Sequence, residues 1–342
     1  IDYTNFNRLN VRFNSDIKFT KKFSSKADIA FAQITRDLFN DGINEYSSPL
    51  YLSYIKSPLY NPYQFDTSGR LFDKISDTDE LGTGNPLAVT ENAEGKIKNY
   101  RFTASMAPKY QFTDRFALSA LVGYSWDKIK ENSFIPDFGL AERKLYNEQG
   151  DWYGDGNNSV ASLMTRHSTL TLGMDADWNI LRGNHNLNLT GAFQYLNNTF
   201  KSNYGMGYNT GSDNLKNLSV TNSALRTIIG VDDNWRTLRW NLQAAYNYQY
   251  RYFLTASATM EGNSRFGKNA DKGMKLAGVK WGLLPSVTAA WLISNEKFMK
   301  NLPFVNFLKL YAGYELTGND DIPVNATRSY FQNVGYAGLA KG

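Results

Sequence analysis

The sequence has no cysteine and only two histidines in 342 residues. Without a thiol there is no disulfide framework, thiolate zinc site or cysteine nucleophile. His167 and His185 are too few for a metal or catalytic set, and each is expected to sit at a strand end by chance. No stretch approaches the roughly 18 apolar residues of a spanning helix, which excludes helical membrane proteins but not barrels. The net charge of +5 is not gathered into a basic run, so nucleic acid has little support as a partner. Nucleophile elbows, phosphate loops and zinc-binding helices are missing, and no catalytic residue is assigned. Ile1-Asp2-Tyr3-Thr4 lacks the basic and apolar regions of a signal peptide, so an exported precursor would begin upstream.

What the chain has instead is aromatic side chains, 15% of all residues, at a mean hydropathy of −0.47. Apolar residues must therefore be diluted by interleaved polar ones, as in strands with one wet and one apolar face. From Leu9 to Phe19 the odd positions Leu9, Val11, Phe13, Ser15, Ile17 and Phe19 alternate with Asn10, Arg12, Asn14, Asp16 and Lys18. That period of two lasts eleven residues, the length a tilted strand needs to cross a membrane. It recurs at Tyr100–Met106, Phe116–Trp126, Leu170–Trp178, Leu187–Tyr195 and Leu238–Tyr248, and less cleanly at Ala27–Thr35, Tyr252–Glu261, Trp281–Leu292 and Phe307–Thr317. The template yields about ten strands.

Short links (20–26, 113–115, 179–184, 249–251, 293–304) alternate with long ones (37–96, 128–165, 196–236, 262–280). Strict parity of this kind marks an outer-membrane barrel with its long loops outside the cell, whereas a β-sandwich scatters its loop lengths. Aromatic rings gather at strand ends (Phe19 and Phe23, Phe112 and Phe116, Tyr248 to Phe253), the depth of a membrane interface. The expected fold is thus all-β, a transmembrane antiparallel up-and-down barrel, with residues 1–342 forming one section of it.

Three segments resemble a known family. YRYFLTASATMEGNSRFGKN (Tyr250–Asn269), WGLLPSVTAAWLISNEKFMK (Trp281–Lys300) and LKLYAGYELTGND (Leu308–Asp320) are similar, in order, to the late-barrel block of SusC/RagA-type TonB-linked outer-membrane proteins of Bacteroidetes. Met260-Glu261-Gly262 and Leu284 before Pro285 depart from the family pattern. The resemblance implies a barrel of about 22 strands around a plug domain. It also implies a SusD-like lipoprotein lid, energy from a TonB–ExbB–ExbD complex, and import of an oligosaccharide or oligopeptide across the outer membrane. Ten strands cannot close such a lumen, and plug and TonB box are not recognisable, so a longer parent protein is expected. A passive porin-like barrel and a soluble all-β carbohydrate-binding protein are the rivals. In this block Pro285 suggests a bulge, since it cannot donate to a ladder. Ser294-Asn295-Glu296-Lys297 suggests a short helix packing Phe298 and Met299 on the rim.

Transport makes and breaks no bond, so the functional candidates are the polar strand faces. Arg8, Arg12, Arg101, Arg239, Asn241, Gln243, Lys309, Tyr311 and Glu315 fall on faces assigned to the lumen, where they would meet solute or plug. Tyr204 and Tyr208 are candidate loop aromatics for stacking on sugars. No cofactor is expected, apart from structural calcium. Asp73, Asp77 and Asp79, and Asp151 and Asp155, offer oxygen ligands without EF-hand spacing, and solvated loop is the favoured reading of both groups.

Overall fold

A computed structural model describes residues 4–38, 42–266, 273–276, 278–302, 304–319 and 322–324. In chain order the elements are β1 (Asn5–Lys18), β2 (Phe23–Asp37), α1 (Pro49–Ile55), β3 (Tyr63–Phe65), β4 (Leu71–Ile75), α2 (Pro86–Asn92), β5 (Glu94–Thr113), β6 (Phe116–Ile135), β7 (Arg143–Tyr146) and β8 (Trp152–Gly156). They continue with β9 (Ser159–Arg182), β10 (His185–Tyr208), β11 (Arg226–Tyr248), β12 (Tyr252–Asn263), β13 (Met274–Leu276), β14 (Val279–Leu292) and β15 (Lys309–Glu315). The long strands form one antiparallel meander in the order β1-β2-β5-β6-β9-β10-β11-β12-β14-β15, with β13 also on β14. β3–β4 and β7–β8 are separate hairpins inside the first two long connections.

Residues paired across an antiparallel ladder share a face, so the register carries one parity across the sheet. Val11 pairs with Phe31, Phe31 with Phe102, and Phe102 with Trp126. Further along, Met174 pairs with Phe193, Phe193 with Trp240, Trp240 with Met260, and Met260 with Leu283. Side chains of this face lie in the open: Phe13 is 62% exposed, Leu242 68% and Leu310 61%. A contiguous apolar surface of that extent needs an apolar solvent or partner.

The apolar stretch covers only part of each strand. It runs from Leu170 to Trp178 on β9, Leu187 to Tyr195 on β10 and Leu238 to Tyr246 on β11, close to the roughly 9–11 residues of a membrane crossing. β9 and β10 are 24 residues long, about 80 Å at strand rise. Towards the long loops their outer face turns polar, with Lys201 2.7 Å from Asp232 and Asn234 donating to Thr199 at 3.1 Å. The inner face there gains His167, Phe200 and Trp235, with His167 stacked on Trp235 at 5.9 Å.

This extension corrects several expectations. Strand continues on β6 to Ile135, on β9 from Ser159, on β10 to Tyr208 and on β11 from Arg226, well into the links read as 128–165 and 196–236. Alternation fades there because both faces meet water. Tyr204 and Tyr208 therefore lie in β10, not in a loop, and His167 lies within β9, not at its end. Pro285 makes no bulge with β12; it pairs in register with Ala258. Its carbonyl accepts from the Leu316 N–H just past the β14–β15 ladder, so its missing donor falls where pairing ends. The Ser294–Lys297 segment forms two short 3-10 helices (Ile293–Asn295, Lys297–Asn301), with Met299 buried as expected but Phe298 exposed.

At the short-turn end, Thr20 accepts from the N–H groups of Lys22 and Phe23, and Thr113 from those of Arg115 and Phe116. Side-chain acceptors of this kind close tight turns. Tyr248, Tyr252 and Trp291 stack in a row at 6.3 and 6.4 Å on the apolar face. Glu296 secures the row, accepting from Tyr252 Oη at 2.7 Å and Trp291 Nε1 at 3.1 Å.

The long connections pack into a cluster of their own. Ser48 and Asn85 cap α1 and α2, each with proline in the first turn. Leu52, Val89 and Leu140 form its buried core. Asn85, wholly buried, donates to the carbonyls of Pro62 and Ser76 at 2.9 and 2.7 Å. Asp213 accepts from the N–H groups of Asp137 and Phe138, and Asp77 from that of Gly139. Gly139 has φ +84°, and a Cβ there would lie 2.3 Å from Ala88 Cβ, so the chain crossing requires glycine.

Candidate polar wall of the barrel

The opposite parity carries the polar candidates. Arg8 pairs with Ile34, Arg12 with Ala30, and Arg101 with Ala32 and Asp127. Arg239 pairs with Gln194 and Glu261, Asn241 with Ala192 and Thr259, and Gln243 with Thr190 and Ser257. Lys309, Tyr311 and Glu315 face Leu292, Ala290 and Ser286.

The structure brings one subset together. Arg239 donates to Glu261 Oε2 through Nε at 2.8 Å and Nη2 at 2.6 Å. One turn of the ladder on, Asn241 donates to Thr259 Oγ1 at 2.8 Å, and Ser257 and Ser286 share a hydrogen bond of 2.7 Å. A cavity of about 380 Å³ opens over this ladder, lined among others by Arg239, Glu261, Phe266, Leu284 and Glu315. Glu261 is 7% exposed and would be costly there without Arg239. The ladder holds its polar groups in fixed, mutually satisfied positions.

The other candidates lie elsewhere on the same face. Arg101 pairs with Asp127 at 2.6 Å, Arg8 donates to Asn10, and Lys309 sits 5.1 Å over the Phe253 ring. Glu261, Ser257, Thr259 and Ser286 are not among the site candidates of the sequence. A signal for Glu261 existed: a hairpin folded about Tyr250 sets equidistant residues opposite each other, and Glu261 mirrors Arg239.

The acidic residues considered for calcium are engaged separately. Asp79 pairs with Lys56 at 3.1 Å, Asp77 accepts from Gly139, and Asp155 accepts from Trp152 Nε1. Asp151 closes a turn with Asn147, and Asp73 lies in β4. Among the described residues no group of three or more metal-ligating side chains comes together.

No protein-family model matches the chain. TonB-dependent receptor P3 of Formosa agariphila is 24% identical over 97% of the chain. TonB-dependent receptor SusC of Bacteroides thetaiotaomicron is 32% identical over 77 residues. The RagAB peptide importer in its open-open state superposes over 99% of the chain with a TM-score of 0.72 at 18% identity. The chain is similar to SusC/RagA-type TonB-dependent receptors in sequence and in fold. It spans 31% of the P3 receptor and 35% of the superposed RagAB chain. The sheet thus matches part of the wall of a RagA-like barrel, a fold in which the apolar face meets lipid and the polar face the lumen. The matched late-barrel block ends at Asp320, outside the described residues.

Proposed function

We propose that the complete protein imports a large hydrogen-bonding solute, an oligosaccharide or oligopeptide, across the outer membrane with energy delivered by TonB–ExbB–ExbD. A SusD-like lipoprotein closes its outer mouth. The supporting observation is the division of faces: a belt about nine residues deep for lipid outside, and the Arg239–Glu261, Asn241–Thr259 and Ser257–Ser286 ladder inside. Fixed donors and acceptors of this kind exchange hydrogen bonds with hydroxyls or amides without binding them tightly, as passage requires. The same wall also offers contacts to a plug. Barrel strands that outrun the membrane by half their length enclose a vestibule under such a lid.

Native purification tests this reading. The complete receptor, extracted from outer membranes in mild detergent, should bring with it a SusD-like lipoprotein and a bound peptide or glycan, both identified by mass spectrometry. A receptor found in the soluble fraction, or one lacking any lipoprotein partner, would contradict it.

A further inference from the structure

We propose that Arg143 forms the centre of an anion subsite at the mouth of the barrel, which takes a carboxylate of the imported solute. The inference rests on the import reading and narrows the solute to one that carries negative charge.

The barrel arginines that point to acids are answered within the chain: Arg101 by Asp127, Arg239 by Glu261 and Arg251 by Glu296. Arg226 is occupied by Thr221 Oγ1 and the carbonyls of Ser219 and Thr221. Arg143 is different. Its guanidinium packs over two rings, 5.2 Å from the Tyr46 centroid and 4.9 Å from that of Tyr208. Among the described residues no carboxylate pairs with it, and its Nε is buried without an acceptor. The rings neighbour the cation without answering its N–H donors, and Nε has no acceptor. Unanswered guanidinium donors suit the two oxygens of a carboxylate.

The surroundings agree in sign. A cavity of about 300 Å³ lies beside the β7–β8 hairpin, lined by Arg143, Lys144, Glu148, Tyr208 and Arg226 among others, with three cations against one acid. Tyr208 is the last residue of β10, so the cavity sits at the loop end of the wall, where a solute arrives first. Positive potential at an entrance raises the capture rate of anionic solutes.

The test uses the complete receptor with its partner subunits. The probes are a tryptic peptide digest and a mixture of uronate oligosaccharides, each as free acid and after methyl esterification. In the arm that binds, the acid form is expected to bind about tenfold more tightly than the ester. Arg143→Met should bring that ratio to near one. Arg143→Gln, a second variant in case methionine disturbs the tyrosine packing, should do the same. The two arms tell a peptide carboxylate from a sugar carboxylate. Equal binding of acid and ester, or a preference that survives both substitutions, would overturn the subsite and leave the import reading standing. Failure of all four probes to bind the unaltered receptor would overturn both.

Discussion

Replacing Lys56 by methionine is expected to cost the long-loop cluster about 3–5 kcal/mol, because it strands a buried carboxylate. Asp79 is 4% exposed and Lys56 8%, with 3.1 Å between them. Burial alone would raise the Asp79 carboxyl, but the Thr83 N–H, the Lys56 ammonium and the Leu81 N–H together hold it below the usual carboxylate range. A folded-state value below the unfolded one stabilises above the ordinary carboxylate range, and that contribution is lost as pH falls through the folded value. The cluster should therefore loosen in acid below about pH 4. In Lys56→Met the carboxyl rises, and the loosening should move to higher pH. Amide hydrogen exchange over 42–93, measured in the detergent-solubilised receptor between pH 3 and 7, reads both effects. Protection unchanged by the substitution would show that the pair contributes nothing.

The second large effect separates a lipid-facing wall from a soluble sheet. Leu242 lies mid-belt on the apolar face, 68% exposed in the isolated chain, and its neighbour Gln243 lies on the opposite, polar face. Arginine at an exposed position of a soluble sheet is nearly neutral. At the middle of a bilayer it costs about 2–4 kcal/mol. Leu242→Arg should accordingly destabilise the receptor in lipid by that amount, while Gln243→Arg, facing the wet lumen, should stay within about 0.5 kcal/mol. Unfolding in liposomes by guanidinium gives both values. Equal, small effects would place neither residue in lipid.

The sequence shows the barrel wherever lipid lies on one side and water on the other. The Leu238–Tyr248 alternation is sharp for that reason, and Trp240 and Leu242 were correctly set opposite Asn241 and Gln243. Above the membrane the pressure that writes the pattern disappears. Asn197, Thr199 and Lys201 stand on the outer face of β10 where leucine stood below, while Phe200 and Tyr204 turn inward. Apolar parity ends there, so by itself it assigns Tyr204 and Tyr208 to a loop. Local signals persist in the loops: Ser48-Pro49 and Asn85-Pro86 are helix-start pairs and open α1 and α2. The polar wall was legible one strand at a time, but its pairing across strands was not. Glu261 looked like a departure from a family pattern until the ladder set it against Arg239.

Because the chain has no cysteine of its own, single-cysteine labelling has no background within it. The most direct test of the central claim is spin-label accessibility at Leu242→Cys and Gln243→Cys in the complete receptor reconstituted into bilayers. A label at 242 should collide with oxygen dissolved in lipid and be shielded from a water-soluble nickel reagent, and a label at 243 should show the reverse. Equal access of the nickel reagent to both positions would contradict a wall with lipid on one face and a polar passage on the other.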